Sequence, residues 1–209
     1  MSASVARRRR LLPEQRRELI EAAALEVFSR QGYHAASMAQ IAERAGVTKP
    51  VLYDHFASKD ALHAHLLRRH SEALTARVAT SVAEAGNGHA AALHAVVSAF
   101  FAFVEEEPFA RRLLFDDPEA GPDRAAAHRR GQAAATRRIG RGLAEAGLLA
   151  GTPDRERRLE LRAQMLKATL NGLADWWLDH PEEPRERLIE EADAVLAGGL
   201  LDEGADPPR

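Results

Sequence analysis

A chain of 209 residues, 45% hydrophobic, 29% charged and only 5% aromatic, is long enough to bury a real core, as one domain or as a small domain joined to a larger one. The absence of cysteine removes disulfide frameworks, thiolate zinc sites, iron–sulfur ligation and cysteine nucleophiles together. The formal net charge of −2 conceals a division: residues 1–70 hold twelve Lys and Arg against seven Asp and Glu, and the remainder seventeen against twenty-four, so a basic segment suited to a polyanion precedes an acidic body.

The chain begins with Arg7, Arg8, Arg9 and Arg10, followed by Leu11, Leu12, Pro13 and Glu14. No apolar run follows the arginines, so a signal peptide is not expected and the cytoplasm is the expected location. From Pro13, Ile20, Ala23, Ala24, Val27 and Phe28 recur at helical spacing on one face, and Gly32 stops that helix. Met38, Ile41, Ala42 and Ala45 repeat the pattern in a shorter element, opened by Ser37 and Gln40 as a capping box and closed by Gly46. Thr48 caps a third helix whose first turn tolerates Pro50, and Ser58 caps a fourth that runs to about Ala85 before Gly86, Asn87 and Gly88.

Beyond that break, a helix presents Leu93, Val96, Val97, Phe100, Phe101 and Val104 on one face. Its uncharged stretch, Ala90 to Val104, falls short of the roughly 20 apolar residues of a membrane span and reads as a buried helix. A short helix follows Pro108 to about Asp116, and a long one runs from Pro122 to Gly147. Gly151, Thr152 and Pro153 precede another long helix with Leu159, Met165, Leu166, Leu170, Leu173, Trp176 and Trp177, and the last starts at Pro184. No β-branched run competes, so the fold class is all-α: an N-terminal three-helix domain with a helix-turn-helix, then a larger C-terminal helical domain. The expected divisions are a basic disordered arm at 1–12, the helix-turn-helix at 13–57, a connecting helix at 58–85, the larger domain at 86–203 and a tail at 204–209.

Two short helices joined through Gly46 and Val47 have the dimensions of a helix-turn-helix, whose second helix enters a major groove about 12 Å wide while the first braces it. Thr48, Lys49, Val51 and Leu52 supply the donors and apolar groups of such a helix. Inward, Ala42, Ala45, Val47, Leu52 and Phe56 are placed to pack on Ile20, Ala24, Val27 and Phe28. The stretch from Pro13 to Leu62, above all SMAQIAERAGVTKPVLYDHFASKDAL from Ser37, resembles the DNA-binding domain of the TetR-like transcriptional regulators. The matching positions are Ser37, Ile41, Ala42, Ala45, Gly46, Val47, Thr48, Leu52, Tyr53, His55, Phe56, Ser58, Lys59 and Leu62, with Phe28, Gly32 and Tyr33 upstream.

The resemblance implies base contacts from Thr48, Lys49 and Val51 and phosphate contacts from Ser37, Tyr53, His55 and Lys59. Lys49 suits guanine O6 or N7, and the Val51 methyls suit a thymine methyl. Lys59 in a helix first turn and the stiff Tyr53 hydroxyl suit phosphate. Pro50 departs mildly from the commonest family pattern, which leaves the register of the outward side chains open. Other readings stand beside these: Tyr53 as a core aromatic, Ser37 as an N-cap, and Arg7 to Arg10 as a minor-groove arm or a solvated tail. His63 and His65, two apart, do not share a helix face, and with His70 they make no metal site.

The resemblance further implies that the rest of the chain dimerises and encloses a small-molecule pocket. Leu170, Leu173 and Trp177 on one helix, with Leu188, Ala192, Val195 and Leu196 on the next, are the expected dimer interface. Phe100, Phe103, Phe115, Met165, Thr169 and Trp176 are the expected pocket lining, with core packing as the alternative for each. Arg129, Arg130, Arg137, Arg138 and Arg141 read as a solvated face of the long middle helix. The function expected is a ligand-responsive repressor, released from a palindromic double-stranded operator by a small hydrophobic molecule, with the fourth helix as the mechanical link and no metal or cofactor. The alternatives are a DNA-binding protein without a ligand, and an all-α enzyme. For the last, no H-E-x-x-H, G-x-S-x-G, Walker or dinucleotide signature is present.

Overall fold

In a computed structural model of the chain, the structure describes residues 12–86, 88–115, 122–145 and 147–200. The basic arm before Leu12, the tail from 204, and the side chains of Arg129 and Arg130 lie outside the described residues. Nine helices are described: α1 (Pro13–Ala35), α2 (Met38–Arg44), α3 (Lys49–His55), α4 (Lys59–Glu84), α5 (His89–Glu106), α6 (Pro108–Phe115), α7 (Pro122–Glu145), α8 (Arg155–Asp179) and α9 (Arg185–Leu200). No strand occurs among the described residues, as the unbroken helical periodicity requires. The chain divides into two compact units between Arg69 and His70, inside α4.

In the first unit, Gly32 breaks α1 as expected from its position, with φ +74° and ψ 167°, but one further turn follows to Ala35. Ile20, Ala24, Phe28, Ile41, Leu52, Phe56, Leu62 and Leu66 are buried and form the core around which α1, α2, α3 and the start of α4 assemble. His63 is buried too, edge-on to the rings of Phe28 and Tyr33 at 5.1 and 5.0 Å, so its imidazole serves as a packing surface.

In the second unit, α5 is the central helix. Leu93, Val97, Phe100, Phe101 and Val104 pack with Leu166, Leu170 and Ala174 of α8 and with Leu188, Ile189, Ala192 and Leu196 of α9. α7 lies along α8, where Gly140 comes within 3.7 Å of the Leu159 carbonyl for any added Cβ. The α7–α8 turn is closed by the buried Leu148, Leu149 and Leu159, and Arg155 donates to the carbonyls of Leu148 and Ala144 at 3.1 and 2.8 Å.

Candidate nucleic-acid interface

Helices of seven residues are too short to persist alone, so α2 and α3 exist because their inner faces are buried. Ile41, Ala42 and Leu52 are at most 2% exposed, while Ala45 and Val47 in the turn are only half-buried. The start of α2 is fixed by a reciprocal cap: the Gln40 N–H donates to Ser37 Oγ at 3.2 Å, and the Ser37 N–H donates to Gln40 Oε1 at 2.9 Å. The Ser37 hydroxyl also donates to Gln40 Oε1 at 2.8 Å, so both of its functions serve the cap. At the other end, the N–H groups of Gly46 and Val47 donate to Glu43 and Ala42 at 3.1 and 3.0 Å. Gly46 has φ +66° with open space at its Cβ position, so conformation, not room, calls for glycine there.

This brace leaves the first turn of α3 outside. Thr48, Lys49 and Pro50 are exposed, Val51 is half-buried, Tyr53 is 50% exposed and His55 is half-buried. Thr48 occupies the N-cap position, but its side chain makes no cap hydrogen bond, contrary to expectation. The hydroxyl therefore stays on the outer surface. Tyr53 is likewise a surface residue, not a core aromatic, whereas Phe56 is core at 5% exposure. The structure thus brings Thr48, Lys49, Val51 and Tyr53 onto one short exposed helix above a buried Leu52.

Lys59 is placed differently. Its Nζ donates to the carbonyls of Tyr33 and Ala36 at 2.8 and 2.7 Å, with a longer contact to His34 O at 3.4 Å, and lies 4.1 Å from the centre of the Tyr33 ring. Nearby charge is also internally matched: Glu26 pairs with Arg30 at 3.2 Å and with Arg44 at 2.6 Å. The Glu26–Arg30 pair has the local i,i+4 spacing of a helix, whereas the Arg44 and Lys59 contacts join residues 18 or more apart, which no local spacing announces.

A family model described as bacterial regulatory proteins of the tetR family matches residues 20–66. A second, described as a tetracyclin repressor-like C-terminal domain, matches residues 90–200, more than half of the chain. The chain belongs to the TetR family. FasR of Mycolicibacterium smegmatis, a helix-turn-helix transcriptional activator, is 44% identical over 108 residues, 52% of this chain and 49% of that protein. The chain spans about half the length of that curated relative and about a quarter of RutR of Escherichia coli, to which it is 44% identical over 54 residues. A TetR-like regulator from Rhodococcus sp. RHA1 shares the fold, with a TM-score of 0.75 at 24% identity over 92% of this chain and all of that one. The family is one of regulators, not of enzymes.

In this TetR-family chain the six residues expected to line a pocket do not form one group. Phe100 and Phe103 are core residues of α5, and Phe115 packs on Phe100 with ring centres 6.0 Å apart. Thr169 is half-buried, while Met165 and Trp176 are 58% and 42% exposed on the outer face of α8. The residues expected at a dimer interface are distributed the opposite way. Leu170, Leu188, Ala192 and Leu196 are buried in the core of their own chain, Leu173 and Trp177 pack against it, and only Val195, at 66%, is exposed. The reason is geometric: α8 carries apolar residues on two faces, and α5 and α9 take the one centred on Leu166, Leu170 and Ala174.

The second unit does hold a cleft of about 580 Å³ bounded by α4, α5 and α9, with Arg77, Ser81, His94, Ser98, Arg185 and Glu190 in its lining. His94 Nδ1 meets Asp193 Oδ2 at 2.5 Å and its Nε2 meets Ser98 Oγ at 3.3 Å. Arg77 pairs with Glu106, and Arg185 with Glu105 at 2.6 Å. No helix among the described residues is long and apolar enough to cross a membrane.

Proposed function

We propose that the chain is a ligand-responsive transcriptional repressor that reads a palindromic double-stranded DNA operator as a homodimer and leaves it when a small molecule binds the second unit. The observation that carries the DNA reading is the first turn of α3, exposed at Thr48, Lys49 and Pro50 while Leu52 behind it is fully buried. A short braced helix of this kind fits a major groove, with Lys49 on guanine O6 or N7, Val51 on a thymine methyl and Thr48 on either base edge. Tyr53 and His55 flank it as phosphate contacts, and Ser37, whose hydroxyl donates to Gln40, acts through the cap that holds α2 in place. The test is a gel shift with the DNA upstream of the gene. Lys49→Ala and Tyr53→Ala each reduce affinity by about tenfold or more at unchanged melting temperature, an effect of the size of one good polar contact. Tyr53→Ala binding as tightly as the wild type removes the phosphate role.

The homodimer reading is supported by large apolar side chains left exposed: Leu161, Met165 and Trp176 on α8, and Val195 on α9. On a helix these α8 positions share a face, and a second copy related by a two-fold axis would cover it and set two recognition helices about one DNA turn apart. The ligand reading is supported by the α4–α5–α9 cleft, and its lining favours a molecule that carries polar groups rather than a purely hydrophobic one. Release requires that the molecule bind the operator-incompetent state more tightly than the competent one. A thermal-shift screen finds such a molecule as a rise in melting temperature. A second reading, activation, is favoured by the naming of FasR as an activator. A promoter–reporter pair separates the two, since deleting the gene raises transcription under repression and lowers it under activation.

A further inference from the structure

The ammonium of Lys59 is engaged by groups of the protein itself. Gly32 interrupts α1, and the turn after it ends in extended backbone at Ala36 (φ −69°, ψ 139°), so the carbonyls of Tyr33, His34 and Ala36 lie where a continuing helix would have capped them. An ammonium has three donors on one point, which suits carbonyls converging from one turn. Lys59 supplies them at 2.7, 2.8 and 3.4 Å and places its charge over the Tyr33 ring. The next residue completes the junction: the Tyr33 hydroxyl donates to Asp60 Oδ1 at 3.0 Å. Ala36, whose carbonyl takes the shortest of these bonds, is followed directly by Ser37, whose N–H and Oγ form the cap that starts α2.

We propose that Lys59 is a positioning residue for DNA reading. It latches the 33–36 turn to the first turn of α4 and thereby fixes the Ser37 cap and the axis of α2, without itself neutralising a phosphate. This inference rests on the DNA-binding reading, and one arm of its test does not. In the free protein, amide hydrogen exchange at Ser37 and Gln40 is faster in Lys59→Met than in the wild type, with the amides of α1 before Gly32 unaffected. With operator DNA, Lys59→Met and Lys59→Arg both bind at least about tenfold more weakly. A planar guanidinium cannot replace a point donor among three converging carbonyls, although it preserves the charge. The slope of log affinity against log salt is the same for all three proteins. Ser37→Ala weakens binding less in the Lys59→Met background than alone, because both act through one cap.

Other outcomes overturn the proposal. A salt slope shallower by about 0.9 in Lys59→Met, with Lys59→Arg binding as the wild type does, marks a direct phosphate contact. Full additivity with Ser37→Ala, or unchanged exchange at Ser37 and Gln40, removes the positioning role. If Lys59→Met fails to fold, Lys59→Arg carries the same comparison. A wild-type protein that binds no operator while the exchange difference persists defeats the DNA reading and leaves the latch standing.

Discussion

Glu21 holds its carboxylate with only 5% of the side chain exposed, among Arg17, His65 and Arg69. Arg17 Nε donates to it at 2.9 Å, His65 Nε2 lies 2.9 Å away, and Arg69 pairs with the second oxygen. Burial alone would push its pKa up, but the Arg17 hydrogen bond and the charges of Arg69 and His65 outweigh that and hold it below 4.5. A carboxyl whose folded-state pKa is depressed contributes stability above its unfolded pKa and loses it as pH falls through the folded value. Glu21→Gln therefore destabilises the first unit at neutral pH, by about 1–2 kcal/mol because the two arginines are half exposed and screened. The difference from the wild type shrinks as the buffer is acidified below 4.5. Urea denaturation at a series of pH values measures both, and a difference that stays constant through the acid range contradicts the assignment. Nothing in the sequence announces this cluster, since Arg17 and Glu21 look like an ordinary helical pair and His65 and Arg69 come from another helix.

Among the elements, the helices of the first unit were legible in detail because their signals are local: the Ser37–Gln40 cap, Gly46 at positive φ, and Pro50 in a first turn. α8 was legible only as a helix. Leu166, Leu170 and Ala174 on one side and Leu161, Met165 and Trp176 on the other both satisfy the helical period, and periodicity does not say which stripe meets the chain's own core. That choice is made by α5 and α9, whose docking is a tertiary matter. The two stripes predict opposite phenotypes. Leu170→Ala opens a cavity in a site 4% exposed and lowers stability by about 2–5 kcal/mol. Trp176→Glu, on a surface where the half-exposed indole stacks on the His180 ring at 3.9 Å, leaves the monomer folded but places a charge in the face a second copy would cover. Light scattering should find a dimer in the wild type and a monomer in Trp176→Glu. A Trp176→Glu protein that remains dimeric moves the interface off this face.

At the scale of the whole molecule, charge and architecture change at the same place. The basic excess ends with Arg68 and Arg69, and the compact units divide between Arg69 and His70. A net charge of −2 therefore combines a positive reader with a body that phosphate repels, and DNA affinity should depend on which part faces the polyanion rather than on the total. If a dimer displaces roughly four counterions from its two half-sites, each contributing about −0.9 to the salt slope, affinity falls by about a hundredfold between about 50 and 200 mM salt. Lysine substitution at acidic, exposed Glu182 and Glu191 of the body leaves that slope unchanged, because those charges belong to the other unit. Fluorescence anisotropy on a labelled operator reads both slopes. A flat salt dependence in the wild type means that docking is not dominated by phosphate. A slope that steepens in the body variants means that the second unit also approaches the DNA, against the division of charge along the chain.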